Sequence, residues 1–261
     1  MIQDIGVNMR VHQIRNATMI IEYSGKRFLI DPMFVPKEGV NDDYANKPWP
    51  LHDLPISPKD LIKNIDAVII THLHNDHFDK YAQNILPKEM KIFVQDIFDK
   101  NALEKEHFTN IEIIKSDSTE FEGINLFKTE CMHGMREYAE PLFLANGMRW
   151  EAMGVVFNSI NEPTLYLAGD TIWFEGVKEA IDTHKPKYII VNSACTELNC
   201  MPTIMGVNDI KELHSYYPEG NLIASHLDCV DNATLSRADL RASEVKDYIY
   251  PPADGEIMLL E

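Results

Sequence analysis

Residues 66–80 read "DAVIITHLHNDHFDK". The first half is a short, continuous apolar run, the composition of a strand buried on both faces. The second half crowds His72, His74, Asp76 and His77 into the point where that strand ends. Side chains alternate along extended backbone, so His72 and His74 project the same way and can share one ion. Asp76 and His77 lie just beyond, in reach of a second. A polar loop holding histidines by chance is the alternative. The whole chain has 10 histidines in 261 residues, so chance rarely puts three between positions 72 and 77.

The surrounding sequence predicts a layered α/β architecture. Upstream, "ATMIIEYSGKRFLIDP" is two apolar runs around Ser24-Gly25-Lys26, a hairpin that ends at Asp31-Pro32. Residues 32–58 carry Pro32, Pro36, Pro48, Pro50, Pro55 and Pro58 with Phe34, Tyr44 and Trp49, and read as a long irregular loop. Downstream, "KIFVQ" and "IEIIK" read as strands around a helix at 96–107. "GINLFKTECMH" alternates and ends on His133, and 134–149 looks mobile. "WEAMGVVFNS", "PTLYLAGDT", "KYIIVNSA" and "NLIASHLD" read as further strands. Helices are expected over "FEGVKEAIDTH", over "GVNDIKELHSYYP" with Asn208 or Asp209 near its cap, and at 234–247. Early hairpins followed by strands alternating with helices predict a single α/β sandwich domain over 1–261. Asp31, His72, His133, Asp170, Asn192 and His226 all fall at strand ends, where such folds carry chemistry.

The set "HLHNDH" at 72–77, "MHG" at 132–134, "LAGDT" at 167–171 and "SHLD" at 225–228 resembles the metallo-β-lactamase superfamily. The resemblance runs from the hairpin at 18–31 to about residue 230, and is nearest to the branch containing ascorbate-6-phosphate lactonase. It implies a four-layer αββα sandwich. It also implies a role for each residue. His72, His74 and His133 would hold one metal; Asp76, His77 and His226 would hold a second; Asp170 would bridge them. A hydroxide between the ions would be the nucleophile, with Asp76 also moving a proton, so Asp76 and Asp170 are the catalytic candidates. Taken singly, His133 or His226 would also suit an ordinary strand end, and Asp170 could cap the following helix. Nitrogen and oxygen donors without thiolate suit two divalent ions of zinc or manganese, or iron. Two such ions against two carboxylates and a hydroxide leave residual positive charge, suited to an anionic intermediate.

Weaker candidates surround this set. Asp31 either orients a metal-binding histidine or is a turn aspartate before proline. Tyr44 and Trp49 either cover the centre or pin the loop to the domain. Asn192, with Ser193 and Thr196, either reaches substrate or lies in a polar loop. Cys131 and Cys229 read as small buried residues, and His12, His52, His107, His184 and His214 as surface or packing residues. True β-lactamases of the superfamily often have cysteine where this chain has Asp170, which disfavours antibiotic hydrolysis.

Composition narrows the function. The formal charge of −17 opposes binding to nucleic acid or anionic membrane. The four cysteines form no CxxC pair, and no signal-like or membrane-spanning apolar segment is visible, so a cytoplasmic location is expected. The leading expectation is a hydrolase of a small ester, lactone or phosphorylated molecule, with anionic substrates included. A phosphodiesterase or nuclease and a di-iron oxidoreductase are the alternatives. His74 stands where the di-iron branch typically has an acid. A homo-oligomer is compatible with everything above.

Overall fold

The computed structural model describes residues 9–41 and 45–261. In the N-terminal half, β1 (Met9–Arg15), β2 (Thr18–Tyr23) and β3 (Lys26–Ile30) form an antiparallel meander. Its second turn uses positive φ at Ser24 and Gly25, as the hairpin signal requires. After the loop and α1 (Pro58–Leu61) come β4 (Ala67–Ile69), α2 (Lys80–Ile85), β5 (Ile92–Val94), α3 (Ile97–Lys105) and β6 (Ile111–Ile113). Here the strands run parallel and helices make the crossovers.

The second half repeats the plan. β7 (Thr119–Phe121), β8 (Ile124–Glu130), β9 (Met153–Asn158) and β10 (Leu165–Leu167) are antiparallel, with α4 (Arg136–Ala145) between β8 and β9. Then α5 (Glu175–His184), β11 (Tyr188–Asn192), a small hairpin of β12 (Glu197–Leu198) and β13 (Met201–Pro202), α6 (Val207–Tyr216), β14 (Asn221–Ser225), α7 (Arg237–Ala242) and β15 (Ile249–Tyr250) extend it in parallel. The last strand, β16 (Ile257–Leu260), returns to pair with β1. The two seven-stranded sheets run β16-β1-β2-β3-β4-β5-β6 and β15-β14-β11-β10-β9-β8-β7.

Alternation along each strand divides the apolar residues among three cores. Met19, Ile21 and Phe28 of one sheet meet Val155, Phe157 and Leu165 of the other. Their neighbours Ile20 and Leu29 face outward, beneath Leu61, Ala82 and Leu103 of the first helical layer. On the far side Val156, Tyr166 and Ile189 lie beneath Val177, Ile181, Ile210, Leu213 and Leu240 of α5, α6 and α7. The order helix, sheet, sheet, helix is the expected four-layer αββα sandwich. Burying both faces of each sheet is what makes runs such as "DAVII" continuously apolar.

Two expectations change. The stretch 134–149 holds the helix α4, which continues through Pro141. The helix expected at 234–247 is only Arg237–Ala242. Among its described residues the loop at 32–58 is irregular as expected, apart from an isolated bridge between Val40 and Trp49 and the first residue of α1. Trp49 is 1 % exposed and packs with Met33, Val35, Cys229 and Val230.

Candidate metal centre

Each of the singled-out polar residues arrives at the same rim of the sandwich from a different strand end. Asp31 follows β3, and Thr71 and His72 follow β4. His133 follows β8, Asp170 follows β10, Asn192 ends β11 and His226 follows β14. Gly169 is at φ +72, and a Cβ there would lie 2.5 Å from the Met153 carbonyl oxygen. The tight backbone that aims Asp170 inward therefore demands glycine.

The side chains converge on one point. Asp170 Oδ2 lies 3.2 Å from His77 Nε2, 3.7 Å from His133 Nε2 and 3.9 Å from the Nε2 atoms of both His72 and His226. His226 Nε2 lies 3.1 Å from Asp76 Oδ2 and 3.1 Å from His77 Nε2. Three groups have ligand atoms mutually within 4.8 Å: His72, His74 and His133; His72, His77 and Asp170; and Asp76, His77 and His226. All seven residues are buried, with His74 the most exposed at 7 %.

Outer hydrogen bonds fix which ring nitrogen faces the centre. Thr71 Oγ1 donates to Asp31 Oδ2 at 2.7 Å, so it accepts from His72 Nδ1 at 3.1 Å. His74 Nε2 donates to the Arg149 carbonyl at 2.7 Å, which leaves Nδ1 as its free lone pair. His133 Nδ1 donates to the Thr203 carbonyl at 2.9 Å, and His77 Nδ1 to Asp31 Oδ2 at 2.8 Å. Asn192 Nδ2 donates to Asp170 Oδ1 at 2.7 Å, so Oδ2 is the atom left for the histidines. Such partners set ligand tautomer and basicity in metal sites.

The electrostatics favour a cation. Burial pushes His72 well below the ordinary imidazole range, reinforced by His77 and His74, and it brings His74 down to about 4. Both are neutral donors at pH 7. Burial also disfavours charge on Asp170 and Asp76, but His77 and His226 outweigh it and hold both carboxylates well below their usual range. Burial opposes charge on His77 too, yet Asp170, Asp76 and Asp31 raise it well above its ordinary value. Charged His77 stands in for positive charge that a metal would supply. His72 Nε2 is buried without a hydrogen-bond partner, as a vacant ligand atom would be. The donor set therefore fits divalent ions. Cys131 donates its thiol to the Ala168 carbonyl at 3.1 Å, and burial raises its pKa well above the ordinary value, so it offers no thiolate.

The sequence-predicted residues distribute as follows. His72, His74, Asp76, His77, His133, Asp170 and His226 come together, with Asp31 and Asn192 bonded to them from behind. Trp49 sits in the minor core of the loop, the pinning arrangement, and Tyr44 lies outside the described residues. Sequence reasoning missed Asn16, whose Nδ2 donates to the Asp76 carbonyl at 2.9 Å and lies 3.4 Å from His226 Nε2. It also missed Thr71, the carbonyls of Arg149 and Thr203, and Phe143. The Phe143 ring stacks on His133 at 4.8 Å and lies 5.0 Å from His74.

Known proteins share this architecture. The beta-lactamase superfamily domain matches residues 26–227. The UPF0173 protein YddR of Bacillus subtilis (strain 168) is 41% identical over 260 residues, covering 95% of this chain and 98% of that protein. A possible metal-dependent hydrolase from Veillonella parvula DSM 2008 superposes with a TM-score of 0.89 at 36% identity, covering 96% of this chain and 99% of that one. An isothiocyanate hydrolase from Delia radicum gut bacteria gives the same TM-score of 0.89 at 35% identity, over 97% of this chain and 99% of that one. With seven buried nitrogen and oxygen donors converging at the rim of an αββα sandwich, this chain belongs to the beta-lactamase superfamily and is a metal-dependent hydrolase.

Proposed function

We propose that this hydrolase holds two divalent ions and attacks an electron-poor carbon of a small neutral molecule, with isothiocyanates as the first substrate class to test. The observation that carries the reading is the position of Asp170 Oδ2 within 3.9 Å of four histidine Nε2 atoms. A carboxylate oxygen so placed suits a bridge between ions. His72, His74 and His133 would hold one ion, and Asp76, His77 and His226 the other. Bound there, the ions would supply Lewis acidity and a water ionised near pH 7.

The chain's own residues do the rest. Asp31 and Thr71 orient His77 and His72, and Asn192 turns Asp170. Asp76, its carboxylate held ionised, would take one proton of the attacking water and pass it to the isothiocyanate nitrogen as the C–O bond forms; the remaining O–H proton follows by the same route as the C–N bond breaks and the amine leaves. The isothiocyanate assignment comes from the 35% identical structural relative and fits a strongly acidic protein, since a neutral substrate is not repelled. A cavity of about 200 Å³ bordered by His72, Leu73, His74 and Met148 has the scale of a small molecule. Adding water to such a substrate yields an amine and carbonyl sulfide, which balances without an oxidant.

The test is turnover by protein stripped of metal and reconstituted with zinc or manganese. The panel sets an alkyl isothiocyanate against a lactone, an ester and a phosphodiester. Expected are two ions per chain, amine release from the isothiocyanate, and loss of both turnover and metal in Asp170→Ala. A covalent adduct trapped on Ser193 or Cys195 would overturn the mechanism. Preferential turnover of the lactone or phosphodiester would overturn the substrate class.

A further inference from the structure

His226 differs from its neighbours in what holds it. His72, His74, His77 and His133 each fix their outer ring nitrogen with a hydrogen bond. His226 Nδ1 is buried with no partner among the described residues. Its ring cannot be oriented in the usual way, so its backbone must do so. That backbone is unusual: His226 is at φ +60 and Asp228, two residues on, is also at φ +60. Non-glycine residues adopt this conformation infrequently, and two of them so close together stay there only where the surroundings impose it.

Arg237, the first residue of α7, is the group that imposes it. The residue is 9% exposed and its guanidinium is spent entirely on this turn and the segment behind it. Nη1 donates to Asp228 Oδ2 at 2.8 Å and to the Leu227 carbonyl at 3.3 Å. Nε donates to the Pro252 carbonyl at 2.6 Å, and Nη2 is bonded to Asp254 Oδ1. The Arg237 backbone N–H adds a bond to Asp228 Oδ1 at 3.2 Å. On the opposite side the His226 N–H donates to the Asn16 carbonyl at 3.1 Å. The turn is held from both sides, and the planar arginine fork ties it to the 252–254 segment behind it.

We propose that Arg237 is the positioning residue of the second metal site: it holds the His226–Asp228 turn in its left-handed conformation and thereby aims His226 Nε2 at the ion shared with Asp76 and His77. The inference rests on the two-ion reading above. It makes the two sites separable, because no bond of Arg237 touches the loop of His72 and His74, or His133.

The test titrates metal-free protein with zinc or manganese and follows both binding steps, with thermal melts alongside. Wild type is expected to take up two ions. Arg237→Lys keeps the charge but cannot make the fork, and should weaken the second ion about 10–100-fold, the usual effect of removing an outer partner of a ligand. The first ion should stay within about twofold. Asp254→Asn loosens the fork from behind and should act in the same direction more mildly, which keeps the test decisive if the Arg237→Lys chain does not fold. A purely structural arginine would lower the melting temperature without separating the two affinities. Equal weakening of both ions, or unchanged binding of both in Arg237→Lys and Asp254→Asn, overturns the proposal. Wild type that takes up a single ion overturns the two-ion reading, and this inference with it.

Discussion

Asp31 shows how much one side chain carries. Its backbone is at φ +41, and its carbonyl accepts the Thr18 hydroxyl at 2.6 Å. One carboxylate oxygen takes the Thr71 N–H, and the other takes the Thr71 hydroxyl and His77 Nδ1. Asparagine tolerates the same backbone, so Asp31→Asn isolates the carboxylate. In either flip its NH₂ faces a donor, either the Thr71 N–H or the Thr71 hydroxyl with His77. Metal affinity should fall about 10–100-fold, measured by titration of the stripped protein. Unchanged affinity would make Asp31 a turn residue and nothing more. The candidate ligands were legible because four of them fall within residues 72–77 at a strand end. Their partners were not. The carbonyls of Arg149 and Thr203 carry no side-chain signature. Asn16 meets the site only through distant pairing, and Arg237 through a turn whose left-handed shape no residue pattern announces.

At the scale of elements, α4 is the instructive case. Gly134, Pro141 and Asn146-Gly147 read as breakers, and Met135 supplies no side-chain cap. Pro141 also denies the Glu137 carbonyl its helical donor. Tertiary contact overrides these local signals, because Phe143 is 3% exposed against His133 and His74. β16 escaped notice for a related reason: "IMLL" is too short to announce itself, and it becomes a strand by pairing with β1. The outer face of α4 leaves Met135, Tyr138 and Leu144 exposed, so the helix is a thin cover anchored by one ring. Phe143→Ala should uncover the first site. A chelator should then extract its ion several-fold faster, and stability should drop by up to about 3 kcal/mol. Extraction at the wild-type rate would show that α4 does not guard the metals.

The whole molecule depends on two sheets staying face to face, and Tyr23 makes a polar link between them inside the apolar core. Tyr23 of β2 reaches over to share its hydroxyl proton between the Phe157 and Pro163 carbonyls, each at 3.1 Å, while its ring packs tilted against Phe157 at 5.7 Å. Burial pushes its pKa up to about 12. The folded protein thus keeps the proton well past the ordinary value of 10.0 at which the unfolded chain releases it. Between those values the unfolded state binds fewer protons, so stability falls as pH rises. Below pH 10 this contribution is fully present. Cys229, pushed up to about 12 by burial, acts in the same direction from its ordinary value of 9.0. Tyr23→Phe removes the ionisable group and one hydrogen bond, lowering stability near pH 8 by about 1 kcal/mol. It should also flatten the alkaline decline that remains in wild type. Denaturant melts of both proteins from pH 8 upward measure this difference. If the two declines are parallel, ionisation of Tyr23 is not what parts the sheets, and the alkaline limit belongs to Cys229 and the other buried groups.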